Sequence, residues 1–217
     1  MQIYIVRHGE TESNREGVFQ GQTDSGLLES GFELARQTGA ALAEEGVRFD
    51  AAFSSPLSRA WNTARTVLDA SGNADVPLQR EDRLLEVSMG DYEGKRFRPG
   101  EREVDEGSVK LFFEDPFAFP GFPNGEDAAT VCARTQGFLA ELAGRAFENV
   151  LVSTHGFALR AMLNRLYDDP ADFWQGHVPY NCSVSIVDVQ PDGQLKLAAF
   201  DKIYYDPALC VDRYAKY

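Results

Sequence analysis

The stretch Ile3-Tyr4-Ile5-Val6-Arg7-His8-Gly9-Glu10-Thr11-Glu12-Ser13-Asn14 constrains the fold more than any other. Its first four residues are apolar and mostly β-branched, which predicts a buried strand. The run stops abruptly at Arg7-His8-Gly9. Burying a cation and an imidazole at a strand end costs desolvation unless that end opens onto a cleft. Open α/β sheets provide this, because their ligands bind outside the carboxyl ends of the strands. The arginine offers a planar fork for phosphate or carboxylate oxygens. The histidine is neutral, and so nucleophilic, near neutral pH. The glycine lets the backbone approach a ligand or adopt a positive φ. A strand end with solvated charges is the other reading, and the tripeptide alone leaves both standing.

The chain has 217 residues, 43% of them hydrophobic. That suffices for one substantial core and does not require two full domains. The formal net charge of −13 repels polyanions at long range, so neither nucleic acid nor an anionic membrane is an expected partner. A small anionic ligand stays compatible, because a local cluster of arginines outweighs a diffuse field. Cys132, Cys182 and Cys210 are odd in number and widely spaced, which argues against a disulfide scaffold. No Cys-x-x-Cys pair is present to hold a metal. No basic, apolar leader opens the chain, and no stretch reaches the roughly 18–20 apolar residues of a membrane span. The expectation is a soluble, cytoplasmic protein.

Residues 17–25 read as a glycine-rich, polar loop. Leu34, Ala35, Thr38, Ala41 and Leu42 then recur at helical spacing, with Gly46 as the stop. Leu27 and Leu28 stand where a polar N-cap is expected, so the cap falls to Ser30. Residues 49–54 predict a second strand, ending in Ser54-Ser55-Pro56-Leu57-Ser58-Arg59-Ala60 and a helix through Leu68. Pro56 suits the start of that helix. Arg59 falls in its first turn, where free N–H groups favour an anion. The plainer reading of Arg59 is a surface residue. A short strand or edge lies between Leu78 and Leu84-Leu85, followed by Glu86, Gly90, Glu93 and Gly94.

Residues 95–124 show no βαβ rhythm. Charged residues give way to Phe112, Phe113, Phe117, Phe119 and Phe122 among prolines. A long irregular connection in a small domain is usually a lid or a functional loop. We read it as an insertion that caps the cleft, with its phenylalanines forming a small core more than a substrate box. Lys95, Arg96, Arg98 and Arg102 read mostly as a solvated face. A helix opening at Gly125-Glu126 has Val131, Thr135, Phe138, Leu139 and Leu142 on its buried stripe. Residues 149–154 form the next buried strand, ending in His155-Gly156, and residues 157–166 a helix. A hairpin follows over residues 183–189 and 195–200, around Pro191-Asp192-Gly193. Residues 203–217 show no period and are unassigned. No internal repeat is present, so the chain reads as one domain, 1–217, with a cap.

The runs Arg7-His8-Gly9-Glu10-Thr11 with Asn14, Ser-x-x-x-Arg-Ala ending at Arg59-Ala60, and Val152-Ser153-Thr154-His155-Gly156 together resemble the signature blocks of the histidine phosphatase superfamily. That superfamily includes the cofactor-dependent phosphoglycerate mutases. The resemblance implies a phosphoglycerate mutase-like fold, a three-layer α/β/α sandwich with a mostly parallel central sheet and residues 95–124 as the cap. It also implies that Arg59 is a second phosphate-binding arginine, that Glu86 is the proton donor and that Glu93 holds the loop.

The expected chemistry follows from these parts. The chain has only three histidines. His8 and His155 sit at strand ends before glycine, while His177 has no partner that the sequence names. His8 is the expected nucleophile toward a phosphomonoester. Arg7, Arg59, His155, Asn14 and Gly156 form the expected phosphoryl site. Glu86 gives a proton to the leaving oxygen and later takes one from water. No metal and no cofactor are implied, since arginines supply the charge and no Walker loop is present. A metal on His8 and His155 is disfavoured by the flanking arginines. The expected partner is a small phosphorylated metabolite, and the oligomeric state is open, a homodimer included.

A mutase is the alternative enzyme reading. Mutases typically read Glu-Arg-His-Tyr-Gly where this chain has Glu86-Val87-Ser88-Met89-Gly90, and the connection after it is short for a mutase. Hydrolysis through a phosphohistidine is therefore favoured. A non-catalytic phosphate-binding or scaffold protein would not need both a nucleophile and an acid.

Overall fold

The N-terminal apolar run forms β1 (Gln2–Arg7). In the computed structural model, which describes residues 1–210, it shares one sheet with β2 (Ala51–Ser54), β3 (Leu78–Arg80), β4 (Asn149–Thr154), β5 (Val184–Val189) and β6 (Leu195–Lys202). The strand order is β3-β2-β4-β1-β5-β6. The first four strands in that order are parallel, and β5 and β6 complete the sheet antiparallel. The sheet is thus mostly parallel, with the predicted hairpin at one edge.

The helices are α1 (Glu12–Glu16), α2 (Glu29–Glu44), α3 (Ser58–Ala70), α4 (Glu106–Glu114), α5 (Ala128–Ala143) and α6 (Gly156–Leu163). Strand side chains alternate between faces and both faces are covered, which shows why β1 has no charged or amide side chain between Gln2 and Arg7. Tyr4 and Val6 pack with Leu34 and Leu42 of α2 and Val67 and Leu68 of α3. Ile3 and Ile5 pack on the other face with Phe138 and Leu139 of α5 and Leu159 and Met162 of α6. Helices cover both faces, so the architecture is the three-layer sandwich. A third apolar cluster extends from α5 and α6 into the insertion. It joins Phe97, Phe112, Phe119 and Phe122 of the insertion to Phe19, Phe157 and Trp174.

Several local expectations change. Ser30 does not cap α2. The N-cap is Leu28, with no side-chain cap, and Ser30 lies inside the first turn, where its hydroxyl donates to Glu10 at 2.5 Å. α5 begins at Ala128 rather than at Gly125-Glu126, because Asp127 accepts from the Thr130 amide and caps it. The insertion is not irregular throughout. Asp105 caps α4 within it, accepting from the Ser108 amide at 2.7 Å. Gly9 does not take a positive φ. A Cβ there would lie 2.6 Å from the carbonyl oxygen of Gly31, so the glycine lets the end of β1 pass against α2. The unassigned tail is described only to Cys210, with Tyr205 buried and its hydroxyl donating to the Asn181 carbonyl at 2.6 Å. Residues 211–217 lie outside the described residues. Among the described residues, no helix is long and apolar enough to cross a membrane.

Candidate active site

The register of β1 on β4 decides where the site lies. Arg7 pairs with Thr154, so His8 and His155 leave neighbouring parallel strands at the same level. Their ring centroids are 5.2 Å apart. His8 Nδ1 lies 2.7 Å from the carbonyl oxygen of Gly9. A carbonyl only accepts, so Nδ1 carries the proton and Nε2 keeps its lone pair. Burial, and then the charges of Arg59 and Arg7, push the His8 pKa well below its usual value. The imidazole is therefore neutral at pH 7.

His155 is fixed in the opposite tautomer. The Arg59 Nε–H donates to its Nδ1 at 3.2 Å, which leaves Nε2 to donate to Ser55 Oγ at 2.8 Å. Ser55 opens the Ser-x-x-x-Arg pattern, and its hydroxyl completes this arrangement. Burial, followed by the charges of Arg59 and His8, also lowers the His155 pKa well below its usual value.

Arg59 is wholly buried in the first turn of α3. Its Nη1 donates to the Thr23 carbonyl at 2.8 Å and its Nη2 to the Gly21 carbonyl at 2.6 Å. With the bond to His155, three of its five N–H groups are committed. Burial lowers its pKa to about 10, which leaves it charged at neutral pH. Arg7 donates from Nη1 to the Pro179 carbonyl. Asn181, two residues on, donates to the His8 carbonyl at 2.9 Å and to Asn14 Oδ1 at 3.4 Å. Asn14 Oδ1 also accepts from the Thr11 amide and hydroxyl at 3.2 and 3.1 Å. One loop before β5 therefore braces three of the predicted site residues.

Glu86 sits at the N-terminus of α6. Its Oε1 accepts from the amides of Val87 and Ala158 at 2.9 and 3.0 Å, and its Oε2 from the amide of Phe157 at 3.2 Å. Arg7, His8, Asn14, Arg59, Glu86 and Gly156 line one cleft, which opens to solvent. His155 does not line it, being buried with both ring nitrogens engaged. Among the described residues, no group of three or more histidines, cysteines or carboxylates is placed to hold a metal ion.

Sequence reasoning missed the supports. Arg134 of α5 pairs with Glu126 and also donates to the carbonyls of Arg83, Leu85 and Glu86, at 2.9, 2.6 and 3.0 Å. Glu126 Oε2 accepts from the Ser88 amide at 2.9 Å. The pair thus grips the backbone on both sides of Glu86. No local pattern signalled the pair, because helix-surface partners lie three or four residues apart and Glu126 lies before α5. Glu93, by contrast, holds the loop as the resemblance implied: it accepts from the amides of Gln22 and Thr23 at 2.8 and 2.6 Å and from that of Met89 at 3.3 Å, tying together the loops that carry Arg59's carbonyl partners and Glu86. His177 has a partner after all. Its Nε2 lies 3.0 Å from Asp201 Oδ2, which also takes Arg160 Nη2 at 2.6 Å. Asp201 is 41 residues from Arg160 on an edge strand, so no local pattern announced the trio.

Comparison with known proteins follows the same lines. The family model described as histidine phosphatase superfamily (branch 1) matches residues 3–201. A 2,3-bisphosphoglycerate-dependent phosphoglycerate mutase of Parvibaculum lavamentivorans is 33% identical over 167 residues, covering 76% of this chain and 79% of the mutase. A broad-specificity phosphatase of Saccharomyces cerevisiae is 31% identical over 204 residues, covering 89% of this chain and 82% of the phosphatase. The solved structure of Bacillus stearothermophilus YhfR superposes with a TM-score of 0.82 at 31% identity, covering 93% of this chain and 97% of that one.

Proposed function

The chain belongs to the histidine phosphatase superfamily, whose members here include mutases and phosphatases, and on that premise we propose that it is a metal-independent phosphatase acting on a small phosphomonoester. The observation that carries the reading is the His8 tautomer. A buried, neutral imidazole with Nδ1 tied to the Gly9 carbonyl presents the Nε2 lone pair beside two arginines.

His8 Nε2 attacks phosphorus while the ester P–O bond breaks. Arg7 and Arg59 hold the equatorial oxygens, and Asn14 contributes through Nδ2, since Oδ1 serves Thr11 and Asn181. His155 acts at one remove, by orienting Arg59. Glu86 gives its proton to the leaving oxygen, so the alcohol departs neutral. Water then attacks the phosphohistidine, Glu86 takes its proton, and inorganic phosphate leaves with His8 restored. A mutase would return the phosphoryl group to a second hydroxyl in place of water.

The test is phosphate release from a panel of phosphomonoesters by the wild type and by His8→Ala, together with trapping of the enzyme by alkaline quench, since a phosphohistidine is acid-labile. Release that disappears in His8→Ala, with a base-stable phosphoryl group on the wild type, is expected. Phosphate release that His8→Ala retains would remove the nucleophile and the mechanism with it.

A further inference from the structure

The cleft has two unlike poles. One is the polar site around Arg7, His8, Arg59 and Glu86. The other is a wall of Phe19, Phe97, Phe112, Phe113, Phe157 and Trp174. Three elements distant in sequence build that wall: the loop after α1, the insertion with α4, and the segment around α6. Phe112 stacks on Phe157 with centroids 5.4 Å apart, and Phe113 lies 6.0 Å from Trp174. The Trp174 Nε1–H donates to the Phe112 carbonyl at 3.3 Å, which satisfies the indole's one donor. These rings therefore form a core and also face the cleft.

The cations of the insertion stay out of the cleft. Arg96 pairs with Glu16 and Glu101 at 3.2 and 3.5 Å, and Arg102 with Glu106 at 3.1 Å. Arg98 donates to the Asn14 carbonyl at 3.2 Å. Lys95 is exposed. Among the described residues that line the cleft, the cations are Arg7 and Arg59, both at the phosphoryl pole. Among the described residues, a second anionic group set against this wall would face aromatic rings and lose its hydration without a further cation to replace it. An aryl or other apolar group would meet ring faces and edges at contact distance.

We propose that this wall is a leaving-group subsite for aromatic or otherwise apolar alcohols, and that it selects monoesters with a single anionic group over those with a second carboxylate or phosphate. The proposal rests on the phosphatase reading for its catalytic consequence. The subsite itself binds whether or not the bound ester is turned over.

Two measurements separate these. The first compares kcat/KM for 2-phenylethyl phosphate and 3-phosphoglycerate, both esters of primary alcohols. A preference for the phenylethyl ester on the order of 10- to 100-fold is expected, from burial of one phenyl group. The second is calorimetric binding of two non-hydrolysable probes, 2-phenylethylphosphonate and 3-phosphonopropionate, for which at least a tenfold difference in Kd in the same direction is expected. Phe113→Arg puts a cation on the wall at its partly exposed position and should bring both ratios down by tenfold or more. Phe113→Leu, a milder change, should lower them by less. Equal or reversed ratios in the wild type, by binding, overturn the subsite. Tighter phenylethylphosphonate binding with no hydrolysis of either ester would uphold the subsite and sink the phosphatase reading instead.

Discussion

Arg134 and Glu86 are joined through the main chain: Arg134 Nη2 donates to the Glu86 carbonyl oxygen at 3.0 Å while the same guanidinium grips Glu126 through Nε and Nη2. The bidentate pair is four-fifths buried on both sides, with side-chain exposures of 17% and 20%. Its fork reaches carbonyls at residues 83, 85 and 86. An arginine does this because its N–H groups are rigidly splayed, and a lysine presents one point charge.

Arg134→Lys should therefore loosen the Glu86 segment more than it unfolds the protein. We expect kcat for an alkyl phosphate to fall about 10- to 100-fold, in line with a misplacement of about 1 Å. Turnover of nitrophenyl phosphate, which needs little protonation, should fall much less. A loss of equal size for both esters would mean that Arg134 does not act through Glu86.

The two buried imidazoles carry a pH signature of stability. Burial first, and neighbouring arginines after it, hold both His8 and His155 well below their usual pKa. Unfolded, each titrates near 6.5. Below that pH the unfolded chain takes up protons that the folded one refuses, so their stabilisation is complete above about pH 6.5 and is lost as the pH falls. Between the unfolded and the folded pKa the loss approaches about 1.4 kcal/mol per pH unit per histidine. Denaturant titrations at several pH values should give a shallower decline for His8→Asn than for the wild type. Parallel curves would show that His8 is not held neutral.

The sequence carried the site further than it carried the supports, and the reason is physical. β1 and β4 are buried on both faces, so each reads as an apolar run whose end is marked by histidine and glycine. Once both are parallel strands of one sheet, their registry places His8 beside His155 without further information. Ser30, Glu126 and Arg134 lacked such marks. The choice between Leu28 and Ser30 at the start of α2 turns on where Glu10 draws the hydroxyl, a contact across 20 residues. Phe97, Phe112 and Phe113 of the insertion pack in a core, as the sequence suggested, and also line the cleft, where Phe157 and Trp174 join them from elsewhere in the chain. Hydrophobicity alone cannot separate those uses.

Ser55 and His155 give a test of the tautomer. Ser55→Ala removes the acceptor of the His155 Nε2–H while the Arg59 Nε–H still occupies Nδ1. A buried donor then has no partner, which costs about 1–3 kcal/mol. Urea unfolding should show a loss of that size, with phosphate affinity reduced because Arg59 is less well oriented. Unchanged stability would mean that the His155 ring is held some other way.

Glu86→Gln is the sharpest test of the acid and base. The carboxylate accepts three amides, two on Oε1 and one on Oε2. Glutamine keeps the size and one accepting oxygen, but its NH2 end cannot accept from the Phe157 amide. Oε1 can still serve Val87 and Ala158, so the side chain should stay at the start of α6 at a cost of about 1 kcal/mol in stability. What it loses is the proton. For an alkyl phosphate, whose alkoxide is a poor leaving group, phosphorylation of His8 should slow by about 10² to 10⁴-fold. Nitrophenolate departs without a proton, so that step should proceed at nearly the wild-type rate. The variant also lacks the base that activates water, so phosphohistidine should accumulate. Rapid quench with nitrophenyl phosphate should then show a stoichiometric burst of nitrophenol followed by slow turnover. No burst, with both esters slowed alike, would make Glu86 a structural cap of α6 and send the search for the acid to Glu10, whose carboxylate lies buried two residues after His8.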